Sequence, residues 1–316
     1  MPSAIDVVVP TFNRCELTEA CLEDLAAQTV AHQVIVSDDG SSDGTPDRVR
    51  AAFPDATVVE SDRNSGFAAA CNRGVAAGSG AFVVLLNNDV RPRTDFLERL
   101  VAPLERDEHV GSVAALLVRP DERRIDSVGL TADPTLAGFP RLAGRPVAEA
   151  ASERPALVGP SGGAAAYRRF AWEKAGGLDE ALFFYLEDLD LALRLRAADW
   201  TAAAAPDAVA IHLGSATAGA RSSSMRFHSG FSRAYLLRRY GILRTRFGPR
   251  AAATEALVTL ADLALSRDAA AGRGRFAGWR AAAALPRAGA PRDAVERRIG
   301  FLGSLRLRWE DVTRPR

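Results

Sequence analysis

Lysine is almost missing from this chain of 316 residues: Lys174 stands alone beside 39 arginines. With so much alanine present, that imbalance is a compositional bias and carries no function. Cysteine is scarce too. Cys15, Cys21 and Cys71 are too few for a disulfide framework and wrongly spaced for a zinc site. Three such thiols suit a reducing compartment. No apolar run reaches the roughly 18 residues of a membrane span. The opening MPSAIDVVVP lacks the basic start and long apolar stretch of a signal peptide. A cytoplasmic setting is therefore expected. Two glycine signatures are also absent. There is no G-x-G-x-x-G after the first apolar run, which excludes a dinucleotide fingerprint, and no G-x-x-x-x-G-K-S/T, which excludes a P-loop. The text G-x-S-x-G does occur, at Gly40–Gly44 and at Gly159–Gly163, and such a match alone does not make a serine nucleophile.

What is present is ordinary in bulk: 47% hydrophobic and 25% charged residues, typical of a soluble globular protein. The length allows one large α/β domain with an extension, or two domains. The net charge of +1 hides an asymmetry, because residues 221–316 hold 20 arginines against 7 acidic residues. That segment carries about +13 and residues 1–220 about −12. Such a division marks contact with a phosphate-rich partner or an anionic membrane, or else solvated arginine faces on helices.

Strand and helix patterns alternate. IDVVVP, HQVIVSDD, ATVVESD and AFVVLLNND are short apolar runs rich in β-branched residues. Between them lie helical spacings, as in Leu17, Cys21, Leu22 and Leu25. Four alternations predict a doubly wound, mostly parallel sheet, with Asn64 or Ser65 capping the third helix. Residues 119–156 read as an irregular loop or a small hairpin. GPSGGAAAYRR is a turn and strand, 187–198 a helix holding an Asp190–Arg194 pair, and TAAAAPDAVAIHLG a final strand. Beyond 221 the chain is helical, with breaks expected at Gly241, Gly248 and residues 272–274.

In such sheets ligands bind at the carboxyl ends of the strands. The polar residues sit there: Thr11 to Arg14, Asp38 and Asp39, Arg63 to Phe67, and Asn87 to Asp89. Asp89, beside two amides, either caps the element that follows or supplies a hard oxygen to Mg²⁺ or Mn²⁺ beside a diphosphate. His212 ends the last strand, as a hydrogen-bonded core residue or as a second ligand to such an ion. Glu187, Asp188 and Asp190 open a helix, where acids are stabilised by the dipole. A carboxylate there can also take a proton from a hydroxyl nucleophile.

Seven stretches, VVVPTFNR, VSDDGSSDGT, NSGFAAACNRGVAAGSG, LLNNDVRP, GPSGGAAAYRR, GGLDEALFFYLEDLDLALRLR and IHLGS, occur in an order and spacing that resemble one family. It is the inverting family 2 glycosyltransferases of GT-A fold, especially the branch of bacterial rhamnosyltransferases and related cell-surface sugar transferases. The resemblance covers about residues 5–240. It implies a GT-A domain over 1–220, with a Rossmann-like, mostly parallel sheet flanked by helices, and leaves 221–316 as an arginine-rich helical extension.

Residue by residue, the resemblance gives Pro10, Thr11, Arg14 and Asp39 to the nucleobase and ribose. Arg63, Asn64, Gly66, Phe67, Asn72 and Asn88 fall to the nucleotide-sugar pocket. Asp89 and His212 fall to Mg²⁺ or Mn²⁺, although Asn87 stands where a stricter D-x-D motif has its first Asp. Asp188 matches the base, with Glu187, Gly162 and Gly163 supporting the acceptor side. Ser232-Arg233-Ala234 stands where the family often has Arg-Asn. The implied donor is dTDP-L-rhamnose, then a UDP-sugar, and GDP-sugars use the same scaffold. The implied acceptor is a hydroxyl on a glycan, glycolipid or small molecule, in cell-surface polysaccharide or glycolipid synthesis. Decoration of a soluble natural product, or non-catalytic binding of sugar nucleotides, are the alternatives. No nucleic-acid partner is implied. The basic segment suits a peripheral membrane contact on the inner face of the plasma membrane, and its stretch GFSRAYLLRRYGILRTRFG suits an interfacial helix, a homodimer interface or a packed helix.

Overall fold

A computed structural model of the protein describes residues 4–214, 222–291 and 295–313. The first strand, β1 (Ile5–Thr11), is buried along its whole length. Even Asp6 lies inside, paired with Arg169 at 2.7 Å and accepting the Gly80 N–H at 2.6 Å. A buried carboxylate needs such partners. The chain continues as α1 (Cys15–Ala26), β2 (Gln33–Asp38), α2 (Thr45–Ala52), β3 (Thr57–Glu60), α3 (Phe67–Ala76) and β4 (Phe82–Leu86). β1 pairs in parallel with β2 and β4, and β2 with β3. The expected alternation is present.

The cap expected on the third helix is corrected. Gly66, not Asn64 or Ser65, occupies the position before α3, and no side chain of its own caps it. The Asp39 carboxylate fixes the approach to the helix, accepting the N–H groups of Ser65 and Gly66, and the Ala68 N–H of the first turn is donated to the Phe183 carbonyl at 3.4 Å.

The second half adds β5 (Val90–Pro92), α4 (Phe96–Arg106), β6 (Val110–Val118), β7 (Ile125–Ser127), β8 (Leu130–Ala132), β9 (Gly138–Pro140), β10 (Ala164–Arg168), α5 (Arg169–Ala175), α6 (Glu187–Ala197) and β11 (Thr201–His212). The main sheet runs β3-β2-β1-β4-β10-β6-β11-β5, with β7 on β6. β10 is antiparallel to both its neighbours, and β11 returns parallel to β6. This is an α/β sheet of mostly parallel strands flanked by helices. The segment expected to be irregular holds β7 and the β8–β9 hairpin. The Asp190–Arg194 pair forms at 2.7 Å.

The extension consists of α7 (Ser223–Arg239), α8 (Gly248–Ser266), α9 (Ala270–Ala281) and α10 (Phe301–Thr313). The boundary expected at 220/221 and Ser215 of IHLGS lie outside the described residues. Leu130, Leu136, Leu182 and Leu189 share one buried cluster with Tyr235, Leu236 and Tyr240 of the extension. Breaks at Gly241 and Gly248 occur as expected, but residues 272–274 lie inside α9 without a break. The glycines serve close packing instead. A Cβ on Gly274 would stand 2.0 Å from the Phe227 carbonyl oxygen, and one on Gly278 2.1 Å from that of Phe231. Helix propensity disfavours glycine here by about 1 kcal/mol per residue, and contact with the α7 backbone outweighs it.

GFSRAYLLRRYGILRTRFG is a packed element over its helical part, with Tyr235, Leu236 and Leu237 buried. Arg233 is buried, ion-paired with Glu255 at 2.7 Å and donating to the carbonyls of Thr135 and Leu136.

Candidate active site

Four strand ends converge on one side of the sheet. At the end of β1, the Thr11 hydroxyl lies 2.9 Å from that of Thr18. The Asn88 side-chain amide donates to both, at 3.2 and 3.1 Å. Pro10 is buried in β1 opposite Ser37 of β2. Arg14 sits in the left-handed region ahead of α1 (φ 64°) and is exposed.

Asp39 organises the next loop. One carboxylate oxygen accepts from Ser65 and Gly66 at 2.9 and 2.7 Å, and the other pairs with Arg73 at 3.1 Å. The loop comes close to the FFYLED turn. Gly66 has φ 96°, and a Cβ there would stand 2.5 Å from the Phe183 carbonyl oxygen. Only glycine fits such an approach with that backbone. Beside it an open hollow of about 800 Å³ is lined by Arg63, Asn64, Asn72, Arg73, Glu180 and Phe183 among others. Asn72 uses both ends of its amide on the following loop. It donates to the Leu178 carbonyl and to Glu180, and accepts from the Leu178 N–H.

Asp89 follows β4 and is buried. One of its carboxylate oxygens has no hydrogen-bond partner among the described residues. Its other oxygen lies 3.6 Å from Nε2 of His212. The backbone sets this meeting, because Asp89 accepts the Leu213 N–H at 2.9 Å and β5 pairs with the end of β11. Nδ1 of His212 lies 2.8 Å from Asp126. Burial lowers the pKa of the imidazole, but hydrogen bonds to Asp126 and Asp89 carry it up to about 10.

Asp126 was missed by sequence reasoning. It lies on β7, in a segment with weak periodicity, and its partner is 86 residues away. His228 of α7 was missed as well. Its ring stacks on Phe183 at 4.5 Å, so the extension reaches the edge of the site.

Asp188 stands on the far side, in the first turn of α6. Tyr185 and Leu186 are both left-handed, with φ 73° and 65°, a conformation such residues seldom adopt. This turn aims Glu187 and Asp188 at Gly162. Asp188 accepts the N–H of Gly162 at 2.9 Å and that of Leu189 at 2.7 Å. Burial raises its pKa, against the pull of those N–H groups. Glu187 is raised well above the carboxylate range by its burial and by the neighbouring Asp188. Gly162 also lies against Phe67, whose ring would be 3.3 Å from a Cβ there. The next residue, Gly163, gives its carbonyl to the Asn87 N–H at 3.0 Å. The Gly162–Gly163 pair thus links Asp188 and Phe67 to the Asn87–Asp89 strand end.

Among the described residues no group of three or more His, Cys, Asp and Glu side chains converges as a metal cage. Asp89 and His212 nevertheless fit an ion that shares its remaining positions with a substrate. One carboxylate oxygen of Asp89 is buried without a hydrogen-bond partner among the described residues, and the other lies 3.6 Å from Nε2 of His212. One carboxylate oxygen and one imidazole nitrogen are a suitable partial set for Mn²⁺ or Mg²⁺ once the ion displaces the proton that Asp89 and Asp126 favour on the ring.

Comparison with known proteins gives consistent results. The sequence model described as glycosyl transferase family 2 matches residues 6–176. An N-acetylglucosaminyl-diphospho-decaprenol L-rhamnosyltransferase of Mycobacterium tuberculosis is 30% identical over 237 residues, covering 67% of this chain and 76% of its own. A validoxylamine A glucosyltransferase of Streptomyces hygroscopicus is 33% identical over 121 residues, 36% of this chain and 27% of its own. A mannosyltransferase of Pyrobaculum calidifontis, solved with GDP-Man and Mn²⁺, superposes with TM-score 0.55 at 24% identity, covering 91% of this chain and 77% of its own. GalNAc-T7, solved with UDP, GalNAc and Mn²⁺, gives TM-score 0.60 at 12% identity, over 80% of this chain and 50% of its own. Both are glycosyltransferases of GT-A fold, and the likeness extends that fold to this chain.

Proposed function

The chain belongs to glycosyl transferase family 2 and is a glycosyltransferase by that membership; from this premise we propose that it transfers a sugar with inversion from a nucleoside-diphosphate donor to an acceptor hydroxyl. One observation carries the reading. The Gly162–Gly163 pair holds a carboxylate, Asp188, across from a strand end that carries a second, partly unpartnered carboxylate, Asp89.

The donor's nucleoside lies along Pro10, Thr11, Arg14, Asp39 and the Arg63–Phe67 loop, with Asn72 and Asn88 fixing the walls of the pocket. Asp89 and His212 hold Mg²⁺ or Mn²⁺, which when bound neutralises charge on the diphosphate. Asp126 accepts the Nδ1–H of His212 and leaves Nε2 directed at the Asp89 side. Asp188 takes the proton of the acceptor hydroxyl. The oxygen forms its bond to the anomeric carbon from the face opposite the diphosphate. The bond from that carbon to the diphosphate oxygen breaks, and its electron pair leaves with the nucleoside diphosphate. Glu187, Gly162 and Gly163 support the acceptor side. Orientation in the cleft supplies much of the rate.

dTDP-L-rhamnose is the favoured donor and a UDP-sugar the next. The mycobacterial rhamnosyltransferase matches along most of both chains, whereas the natural-product glucosyltransferase matches along about a third of this one. That difference supports a lipid-linked or glycan acceptor over a soluble natural product. Thermal unfolding with dTDP, UDP and GDP, each with and without Mn²⁺, tests the reading. A ligand at 100 times its dissociation constant stabilises the folded state by about 2.7 kcal/mol. A Mn²⁺-dependent rise with one nucleotide is expected, and no rise with any of them refutes the donor site.

A further inference from the structure

Helix α8 is built inside out. Its charged residues turn toward the protein: Arg250 pairs with Asp133 and Glu255 with Arg233, and Asp262 is half-buried. Its outer face is apolar. Ala253, Leu257, Leu260 and Ala264 are all exposed and recur at i, i+4, i+7 and i+11, one stripe along the helix. Leu257 is 49% exposed, Leu260 63% and Leu265 74%. A surface helix of a soluble protein shows the opposite pattern, and contiguous apolar surface of this kind marks an interaction face. Among the described residues nothing covers it.

The surroundings indicate the occupant. Exposed Arg244 and Arg246 precede the helix and exposed Arg267 follows it, so the stripe is bracketed by cations at both ends. On α10, Leu302, Arg306 and Trp309 are exposed at i, i+4 and i+7. Leucine, an aromatic and arginines in rows suit the boundary between acyl chains and anionic headgroups. A second copy of this chain fits less well. Pairing through this face would bring together two segments of about +13 each, with like charges around the contact. No described helix is long and apolar enough to cross a membrane, so the helix would lie in the surface.

We infer that α8 docks the protein flat on an anionic lipid bilayer, with the Leu257–Leu260 stripe entering the acyl boundary and Arg244, Arg246 and Arg267 meeting the headgroups. At 19 residues the helix gives a contact about 28 Å long. The inference stands apart from the catalytic reading, since it uses none of the residues assigned to the site.

Co-sedimentation of the full chain with vesicles tests it. Phosphatidylcholine vesicles containing phosphatidylglycerol should bind the protein, vesicles of phosphatidylcholine alone should bind it far more weakly, and added salt should release it. L257E/L260E should weaken binding by about tenfold or more, since each leucine leaves the acyl boundary. R244E/R246E/R267E should abolish the preference for anionic vesicles. Both variants alter exposed side chains, and unchanged thermal unfolding and unchanged nucleotide binding will show that they fold. Equal binding to both vesicle types, or binding indifferent to L257E/L260E, overturns the inference. A dimer seen by sedimentation velocity and dissolved by L257E/L260E, with no vesicle binding, overturns it in favour of a second copy.

Discussion

The carboxylate of Asp188 accepts the backbone N–H of Gly162 at 2.9 Å. A carboxylate held by a backbone group keeps its place whatever the acceptor does. Its hydrogen bonds favour the charged form, while burial raises its pKa. We expect D188N to reduce transfer by about 10²–10⁴-fold, the usual contribution of a general base. The thermal shift given by the donor nucleotide should not change. The wild-type rate should fall on the acid side at a pH above that at which an exposed aspartate ionises, because the base must be ionised. A steady-state pH profile and nucleotide titrations check both points; full transfer by D188N would remove Asp188 from the reaction.

Asp126 is 2.8 Å from Nδ1 of His212. Carboxylates in this position fix the ring and its tautomer, and their loss costs about 10–100-fold in metal affinity. D126N should weaken Mn²⁺ binding by that amount in calorimetry with the nucleotide present. Binding of the nucleotide without metal should stay as it is. Equal Mn²⁺ affinity in D126N and wild type would leave Asp126 without a part in the site.

The first four strands were legible because β-branched runs alternate with helical spacing over a short distance, and the polar strand ends marked the site. Asp126 was not legible, since its meeting with His212 depends on β7 pairing with β6 and on the return of β11. Contacts that distant leave no local pattern. Residues 272–274 misled for another reason. Glycine inside a helix reads as a break on propensity alone, but Gly274 lies where α9 touches the Phe227 carbonyl. G274A should therefore destabilise the extension rather than strengthen its helix, and urea unfolding will give the sign.

Glu187 is buried, with one carboxylate oxygen unpartnered among the described residues. Burial, then Asp188, raises its pKa well above that of an exposed glutamate. A group whose pKa is raised on folding adds stability below its unfolded pKa and loses that contribution as pH rises through the folded value. E187Q removes the ionisation. Its stability relative to wild type should improve steadily as pH rises above the range in which an exposed glutamate ionises. Urea midpoints measured across that rise check the trend, and a constant difference would show that Glu187 does not titrate differently on folding.

Glu255 has the opposite sign. It is buried in α8 and meets Arg233 of α7 at 2.7 Å, Arg275 of α9 at 3.0 Å and Arg308 of α10 at 2.9 Å. Burial alone would raise its pKa, but the three guanidinium groups hold it well below the carboxylate range. A depressed carboxylate contributes stability above its unfolded pKa, and that contribution is lost as pH falls through the folded value. The four helices should therefore loosen in acid. E255Q leaves the buried arginines without their counter-charge, and breaking such a cluster from one side costs about 3–5 kcal/mol. We expect E255Q to lower the unfolding midpoint strongly at neutral pH and to flatten its decline toward acid. Circular dichroism melts of both proteins across that pH range will measure it. Since Glu255 touches none of the residues assigned to the donor, nucleotide binding by the still-folded variant should remain at the wild-type level, and a parallel loss of binding would mean that the extension shapes the donor site as well.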